Sequence, residues 1–230
     1  MGFYGLHRYQ PGAPMPRHRH AKPYMAIVVE GGYLEAGDSG RFEARAGNVL
    51  LHTAFEAHRD AFHSRGARVL NLALDAKTQS GFGQIDDVDA IVRLAERDPL
   101  QAASMAVAGL TSGKPLLGDW PDLLAAALRD DPDLRIADWA DRMGLAAASV
   151  SRGFARAYGV SPKRFRLEVR ARRAASRLPC WRGSLASFAA ELGFADQAHM
   201  SRVVVTLTGL TPARLRAHVN CVQYAAEGDR

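Results

Sequence analysis

The stretch Gly193–Pro212, GFADQAHMSRVVVTLTGLTP, restates one that stands earlier in the chain, Gly144–Pro162, GLAAASVSRGFARAYGVSP. At an offset of 50, Ser151-Arg152 falls on Ser201-Arg202, Gly159 on Gly209, Pro162 on Pro212, Arg164 on Arg214 and Arg166 on Arg216. Val150 matches Met200 and Phe154 matches Val204, apolar positions that a helix turns inward. Each stretch follows a short amphipathic segment that ends in glycine, IADWADRMG (136–144) and LASFAAELG (185–193). Helix, glycine turn and second helix make the helix-turn-helix arrangement. One such pattern is weak, because two short helices around a glycine occur in any bundle; two in register are far more specific.

In each unit the second helix is the one expected to enter the major groove. In the first unit Ala148, Ser151 and Arg152 share a face opposite Val150 and Phe154; in the second, Gln197, Ala198, Ser201 and Arg202 make the matching face. Arginine can hold guanine O6 and N7 in a bidentate pair, glutamine can do the same for adenine, and small residues allow contact with a thymine methyl. SPKRFRLEVRARRAASRLP (161–179) joins the units, with Ser161 placed to cap a helix and Pro162 suited to its first position. Leu167, Ala171, Ala174 and Leu178 line one stripe of it. A helix of ~16 residues is ~24 Å long, a spacer on the scale of the ~34 Å turn of DNA that separates successive major grooves. Charge agrees with a polyanion partner. Between Arg142 and Arg216 stand 14 Lys/Arg against three acids, whereas residues 1–118 hold 13 Lys/Arg and 12 Asp/Glu. Arg156, Lys163, Arg164 and Arg172 are the candidate phosphate contacts.

These residues carry a resemblance. Gly193-Phe194, Asp196-Gln197, Ser201-Arg202, Gly209, Thr211-Pro212 and Arg216, with Ser151-Arg152-Gly153-Phe154 and RARRAASRL upstream, are similar to the DNA-binding domain of the AraC/XylS transcription regulators. The resemblance covers the C-terminal ~100 residues, a span ample for a domain. It implies two helix-turn-helix subdomains on a connecting helix, binding double-stranded DNA and activating or repressing transcription, with RNA polymerase as a candidate partner. The chain departs from the family after Ser201-Arg202, where an aromatic and then basic residues are usual. Val203-Val204-Val205-Thr206 stand here, which implies a smaller core contact, weaker phosphate contact by the second unit and lower helix propensity.

Residues 1–75 have the texture of β structure. YMAIVVEGGYLEA (24–36) reads as strand, Gly-Gly turn and strand; GRFEARAGNVLLH (40–52) and ARVLNLALD (67–75) are further strand candidates. His18 and His20 are two apart, so on a strand they share a face with Tyr24, while His52 and His58 follow a later strand. Gly12, His18, His20, Tyr24 and Gly31 resemble the first motif of the cupin barrels, and Gly47 and His58 loosely resemble the second. The resemblance implies His18, His20 and His58 as ligands of one divalent metal such as Zn2+, which three neutral imidazoles can hold with a position left open. Tyr24 stands where the motif has glutamate, and Thr53 and Phe55 stand where it has proline and glycine. Tyr24 and His52 are expected beside the ligands or lining an effector site. Without metal, the same residues would line a small-molecule pocket. His7, His63, His199 and His218 lack paired spacing, and Glu30, Glu35 and Glu43 near glycine turns are expected to be exposed.

From Asp86 the periodicity becomes helical, with DDVDAIVRLAERDP, DPLQAASMAVAGL and WPDLLAAALRDDP as three helices and SGKPLLGD (112–119) as a breaker. The expected fold is α+β with two domains: a cupin-like β-barrel over 1–78, a helical connector over 79–118 whose apolar faces serve homodimerisation or packing, and an all-α domain over 119–230 carrying both helix-turn-helix units. Net charge is +6. No apolar run reaches the ~20 residues of a membrane helix, and the first residues lack a signal-peptide layout, so no membrane association and a cytoplasmic location are expected. Cys180 and Cys221, without CxxC spacing, read as reduced thiols. No nucleophile elbow, phosphate loop or dinucleotide fingerprint is present in the sequence. The expected function is a sequence-specific transcription regulator, not an enzyme, whose barrel senses a small-molecule or metal effector or dimerises. The competing reading is a metal-dependent cupin enzyme with a DNA-binding appendage, which Tyr24 in place of the carboxylate disfavours.

Overall fold

The computed structural model describes residues 3–114 and 118–217. The fold is α+β in two compact units, Met1–Leu123 with Arg156–Gly159 and Leu124–Ala155 with Val160–Arg230. The first unit is an antiparallel β domain. Its strands are β1 (Gly5–Tyr9), β2 (Pro14–Arg19), β3 (Tyr24–Gly37), β4 (Arg41–Arg45), β5 (Asn48–His52), β6 (Ala57–Ala73), β7 (Gly81–Gln84) and β8 (Thr111–Ser112). They run in the order β1-β6-β3-β5-β7-β8, with β2 also on β6 and β4 also on β3.

Two long bent strands carry this sheet. The first half of β3 pairs with β5 and with the end of β6, and its second half pairs with β4 and with the start of β6. Gly31-Gly32, expected as a hairpin turn, is instead a bulged bend within β3, with register shifts on both sides of Gly31. The chain reverses later, over residues 38–40, before β4. The reason is a close backbone approach. Gly31 and Gly66 both sit at φ 67°, and a Cβ at Gly31 would lie 2.0 Å from the Gly66 carbonyl oxygen. Only glycine combines that dihedral with that proximity, so β3 and β6 bend together there.

The two-residue period of the strands divides the apolar residues between two cores. Tyr24, Ala26 and Val28 face inward with Tyr33, Phe42, Leu50, Phe62 and Val69. Met25 and Ile27 face the other way and pack with Leu70, Leu72, Val49 and Ile85 against two helices, α1 (Val88–Ala95) and α2 (Pro99–Ala108), through Ile91, Ala102, Ala103 and Ala106. Asp87 and Asp98 cap these helices by accepting from the backbone N–H of Ala90 and Gln101. The segment 79–118, expected as helical, thus also supplies β7 and β8 to the sheet.

The repeat is visible in the remaining helices. After α3 (Trp120–Asp130) come α4 (Ile136–Arg142) and α5 (Ala147–Tyr158), the linker helix α6 (Pro162–Arg177), then α7 (Leu185–Glu191), α8 (Gln197–Thr208) and α9 (Pro212–Ala217). The paired helices have equal lengths, 7 residues for α4 and α7 and 12 for α5 and α8. Gly144 and Gly193 turn between them at φ 65° and 69°. Ser161 caps α6 by accepting from the Arg164 N–H, with Pro162 at the start. Phe188, Met200, Val204 and Leu215 form the core of the second copy with Ala174 and Leu178 of the linker segment. Three consecutive valines do not break α8, because Val204 is fully buried in that core and packing outweighs propensity. Cys180, just after α6, is disulfide-bonded, which corrects the expectation of reduced thiols; sequence spacing does not limit which thiols meet in space. Cys221 and His218 lie outside the described residues.

Substitution of Gly31 by alanine is expected to cost well over the ~1–2 kcal/mol of a left-handed dihedral, because of the added clash. Gly12, at φ 66° with nothing within 4 Å of an added Cβ, should lose only the dihedral part. Urea unfolding of both variants checks this; equal losses would mean that the Gly31–Gly66 approach does not constrain the bend.

Candidate nucleic-acid interface and metal centre

On α5, Val150 and Phe154 are buried while Ala148, Ser151 and Arg152 are exposed. On α8, Met200 and Val204 are buried; Gln197, Ala198 and Arg202 are exposed, and Ser201 is half-buried. Each second helix therefore presents outward a polar or small face ending in arginine. Asp196 caps α8 by accepting from the His199 N–H at 2.6 Å, which fixes where Gln197 and Ala198 begin the helix.

The linker helix spends much of its charge on the fold. Arg166 donates to the Leu134 carbonyl at 3.2 Å, Arg170 to the Pro132 carbonyl at 2.8 Å and to Asp133, and Arg173 to the Arg129 carbonyl near the end of α3. A cation suits the Arg129 carbonyl, since the C-terminal end of a helix carries partial negative charge. Arg177 pairs with Glu191, and Arg216 donates to the carbonyls of Trp181 and Gly183. The basic excess is thus partly internal wiring, a division that net charge does not reveal. Of the four candidate phosphate contacts, Arg156 and Lys163 are exposed. Arg164 is exposed and paired with Glu168 at 2.8 Å, and Arg172 is half-buried.

In the β domain the register assembles the histidines. His18 on β2 is the direct partner of His58 on β6, and Tyr24 on β3 is the partner of His52 on β5. Gly37 lies on the other side of His58. One ligand nitrogen each from His18, His20 and His58 falls within 4.8 Å of the others. The ring partners define the tautomers. His18 Nδ1 lies 2.9 Å from the Pro16 carbonyl; a carbonyl only accepts, so Nδ1 carries the proton and Nε2 keeps its lone pair. Burial holds the Tyr24 phenol far above its ordinary range, so Tyr24 donates to His58 Nε2 at 2.9 Å. His58 then donates from Nδ1 to Asp60 Oδ1 at 3.1 Å. Burial first and neighbouring imidazoles second push His20 down to about 4 and lower His52 and His58 strongly. Metal-ligating histidines commonly donate their second nitrogen to a carbonyl or carboxylate; His18 and His58 share that arrangement, and an ion on His58 Nε2 would take the place of the Tyr24 hydroxyl.

Two acidic residues stand behind His58. Glu35, expected to be exposed, is 2% exposed, and Asp60, which the sequence reading left out, is 5% exposed. They are direct cross-strand partners. The signal for Asp60 was present, since it lies two residues beyond His58 and so shares its face. Glu35 had no such signal: it is an odd number of residues from Tyr24, and only the bulges at Gly31 return it to the inner face. Of the other acids in that expectation, Glu30 and Glu43 keep solvent contact and pair with Arg68 and His63. Burial, with Asp60 and Glu56 nearby, raises Glu35 well above the carboxylate range, and burial pushes Asp60 up to about 7. Phe55, in the position where the cupin motif has glycine, adopts φ 62° and donates its backbone N–H to the His20 carbonyl at 2.8 Å.

Residues 139–218 match the helix-turn-helix domain family. Among solved structures, ToxT of Vibrio cholerae with bound unsaturated fatty acid is 11% identical, with a TM-score of 0.43 over 95% of each chain. The C-terminal domain of AraT, a response regulator of Geobacillus stearothermophilus, is 17% identical, with a TM-score of 0.40 over 47% of this chain and 92% of that one. A mutant salicylate 1,2-dioxygenase of Pseudoaminobacter salicylatoxidans is 19% identical, with a TM-score of 0.27 over 29% of this chain and 20% of that one. No curated protein sequence matches the chain. Among the described residues no helix is long and apolar enough to cross a membrane.

The inward and outward faces of α5 should separate in mutagenesis. Phe154→Ala removes a fully buried ring and is expected to cost about 3–5 kcal/mol. Arg152→Ala should stay within about 0.5 kcal/mol of the parent. Chemical denaturation of both variants measures the difference, and a large loss in Arg152→Ala would make that residue structural.

Proposed function

With residues 139–218 a helix-turn-helix domain of the AraC/XylS type, we propose that the protein is a cytoplasmic, sequence-specific transcription regulator that binds double-stranded DNA through two units and is controlled from its β domain. The observation that carries this reading is the repeated pair of exposed faces, each set against its own buried core. Arg152 and Arg202 read guanine, Gln197 reads adenine, and Ala148, Ser151, Ala198 and Ser201 set close approach to the bases. Arg156, Lys163, Arg164 and Arg172 hold phosphates, with the first two the most accessible. The second unit binds less tightly than the first, because Val203, Val205 and Thr206 offer the phosphates no cation. RNA polymerase is the partner through which bound protein would act.

The β domain, residues 1–78, is the sensing part in this reading, with residues 79–118 packed on it and contributing to dimerisation, and residues 119–230 bind DNA. His18, His20 and His58 would hold one divalent ion, with Tyr24 and His52 beside them. A bound ion would supply a Lewis-acid position that an anionic or polar effector could occupy. The chain's own part is to keep His20 and His58 neutral by burial and to orient the rings, through the Pro16 carbonyl for His18 and Asp60 for His58.

Binding to the protein's own upstream DNA tests the first half. Arg152→Ala should cost ~1–3 kcal/mol and relax specificity at one base position. Lys163→Ala should weaken all sequences alike and lower the salt slope by ~1. Unchanged footprint and salt slope in both variants would remove these assignments. Elemental analysis of untagged protein purified without chelator tests the second half: His18→Ala is expected to lose an ion that the parent carries, and a parent without metal would leave the histidines as lining of a small-molecule site.

A further inference from the structure

We propose that the β domain contains a second divalent-cation site, beside the cluster of His18, His20 and His58, built from Glu35, Asp60 and His58 Nδ1. It deepens the metal reading above and shares His58 with it: Asp60, which there only orients His58, becomes a ligand here, and Glu35 takes no part in that reading.

Donor spacing is the first support. One ligand atom each from Glu35, His58 and Asp60 lies within 4.8 Å of the others, and all three residues are buried. His58 Nδ1 stands 3.1 Å from Asp60 Oδ1 and 3.4 Å from Glu35 Oε2. Donors on a tetrahedral ion with bonds of ~2.0–2.2 Å are separated by about 3.4 Å, so these distances are those of neighbouring ligands. The second support is a set of buried polar atoms without hydrogen-bond partners. His52 is 3% exposed, and neither of its ring nitrogens has a hydrogen-bond partner among the described residues. Its Nε2 points at the same Glu35 Oε2 from 3.5 Å, and that oxygen also has no hydrogen-bond partner. A buried polar atom without a partner is costly, and two of them, His52 Nε2 and Glu35 Oε2, face each other here. A dication would give the unpartnered Glu35 oxygen a partner and lie between two adjacent buried carboxyl groups.

Mixed nitrogen and carboxylate donors suit Zn2+, Fe2+ or Mn2+. Filling the site exchanges the His58 Nδ1 proton and the protons of the buried carboxyl groups for the ion, and those protons leave to solvent. With both sites filled, His58 is an imidazolate held at each nitrogen. Tyr24 donates to Nε2 in the structure described here, so an ion on that nitrogen would displace the tyrosine hydroxyl, while the carboxylates face Nδ1.

The test is a Zn2+ titration of the full-length protein after removal of bound metal, with bound zinc counted by elemental analysis after gel filtration. The parent is expected to hold two equivalents. Glu35→Gln and Asp60→Asn should each hold one, with the second equivalent weakened at least tenfold, and His18→Ala should keep the equivalent that the carboxylate variants lose. Far-ultraviolet circular dichroism and thermal melts verify that each variant is folded. Co2+ serves as a second probe: its visible spectrum in the parent should change again at the second equivalent, and in Glu35→Gln it should not. Equal zinc stoichiometry and equal Co2+ titrations in the parent and both carboxylate variants would overturn the second site, and loss of zinc in His18→Ala would still uphold the first. A parent that binds no zinc would overturn both.

Discussion

The close approach of Gly31 to Gly66 is the constraint from which the β domain follows. Two strands of 14 and 17 residues would otherwise run straight and pair with one set of neighbours. Because both bend at the same level, β3 and β6 change partners midway, and the sheet folds around its inner face. The bulges in β3 also reset the alternation of its side chains. Tyr24, before them, and Glu35, after them, are an odd number of residues apart, yet both are buried toward the same cluster of His52, His58 and Asp60. No arrangement of a regular two-residue period could place them so.

Within that cluster the electrostatics are set by dehydration more than by pairing. Burial is the leading cause of every large shift: imidazoles go down, carboxyls go up, and the Tyr24 phenol goes up. All three effects favour the uncharged form, as they must where water is excluded. Neutral imidazole is also the form that ligates metal. Burial therefore leaves His20, His52 and His58 without charge, and the directional work falls to Tyr24 and Asp60 for His58 and to the Pro16 carbonyl for His18.

The helical unit uses charge differently. Arg166, Arg170 and Arg173 on α6 reach the carbonyls of residues 129–134, and Arg177 reaches Glu191 on α7. One helix thereby ties itself to what precedes the first helix-turn-helix unit and to the opening helix of the second. Planar guanidinium groups suit this task, because a single side chain can donate to two acceptors. The arginines on the outward faces of α5 and α8, Arg152 and Arg202, stay exposed. A residue type that composition counts once thus divides into scaffold and surface, and only burial and partners tell the two apart.

The sequence by itself determined the helical half. Its repeat, the glycines between helices, the Ser161-Pro162 cap and the alternation of Val150 and Phe154 with Ser151 and Arg152 are local signals, and helices are built from local contacts. The same locality made α1 and α2 legible from their apolar spacing and their aspartate caps. In the β half the sequence determined that His18, His20 and Tyr24 share a face, because that too is a short-range rule. What only the tertiary structure decided was which distant strands meet. The Gly31-Gly32 bend looks like a turn until Gly66 is placed beside it; Glu35 looks exposed until the bulges return it inward and set it opposite Asp60; and Cys180 carries no spacing that announces its disulfide. Each of these depends on pairing between residues far apart in the chain, where register, not local propensity, assigns the neighbours.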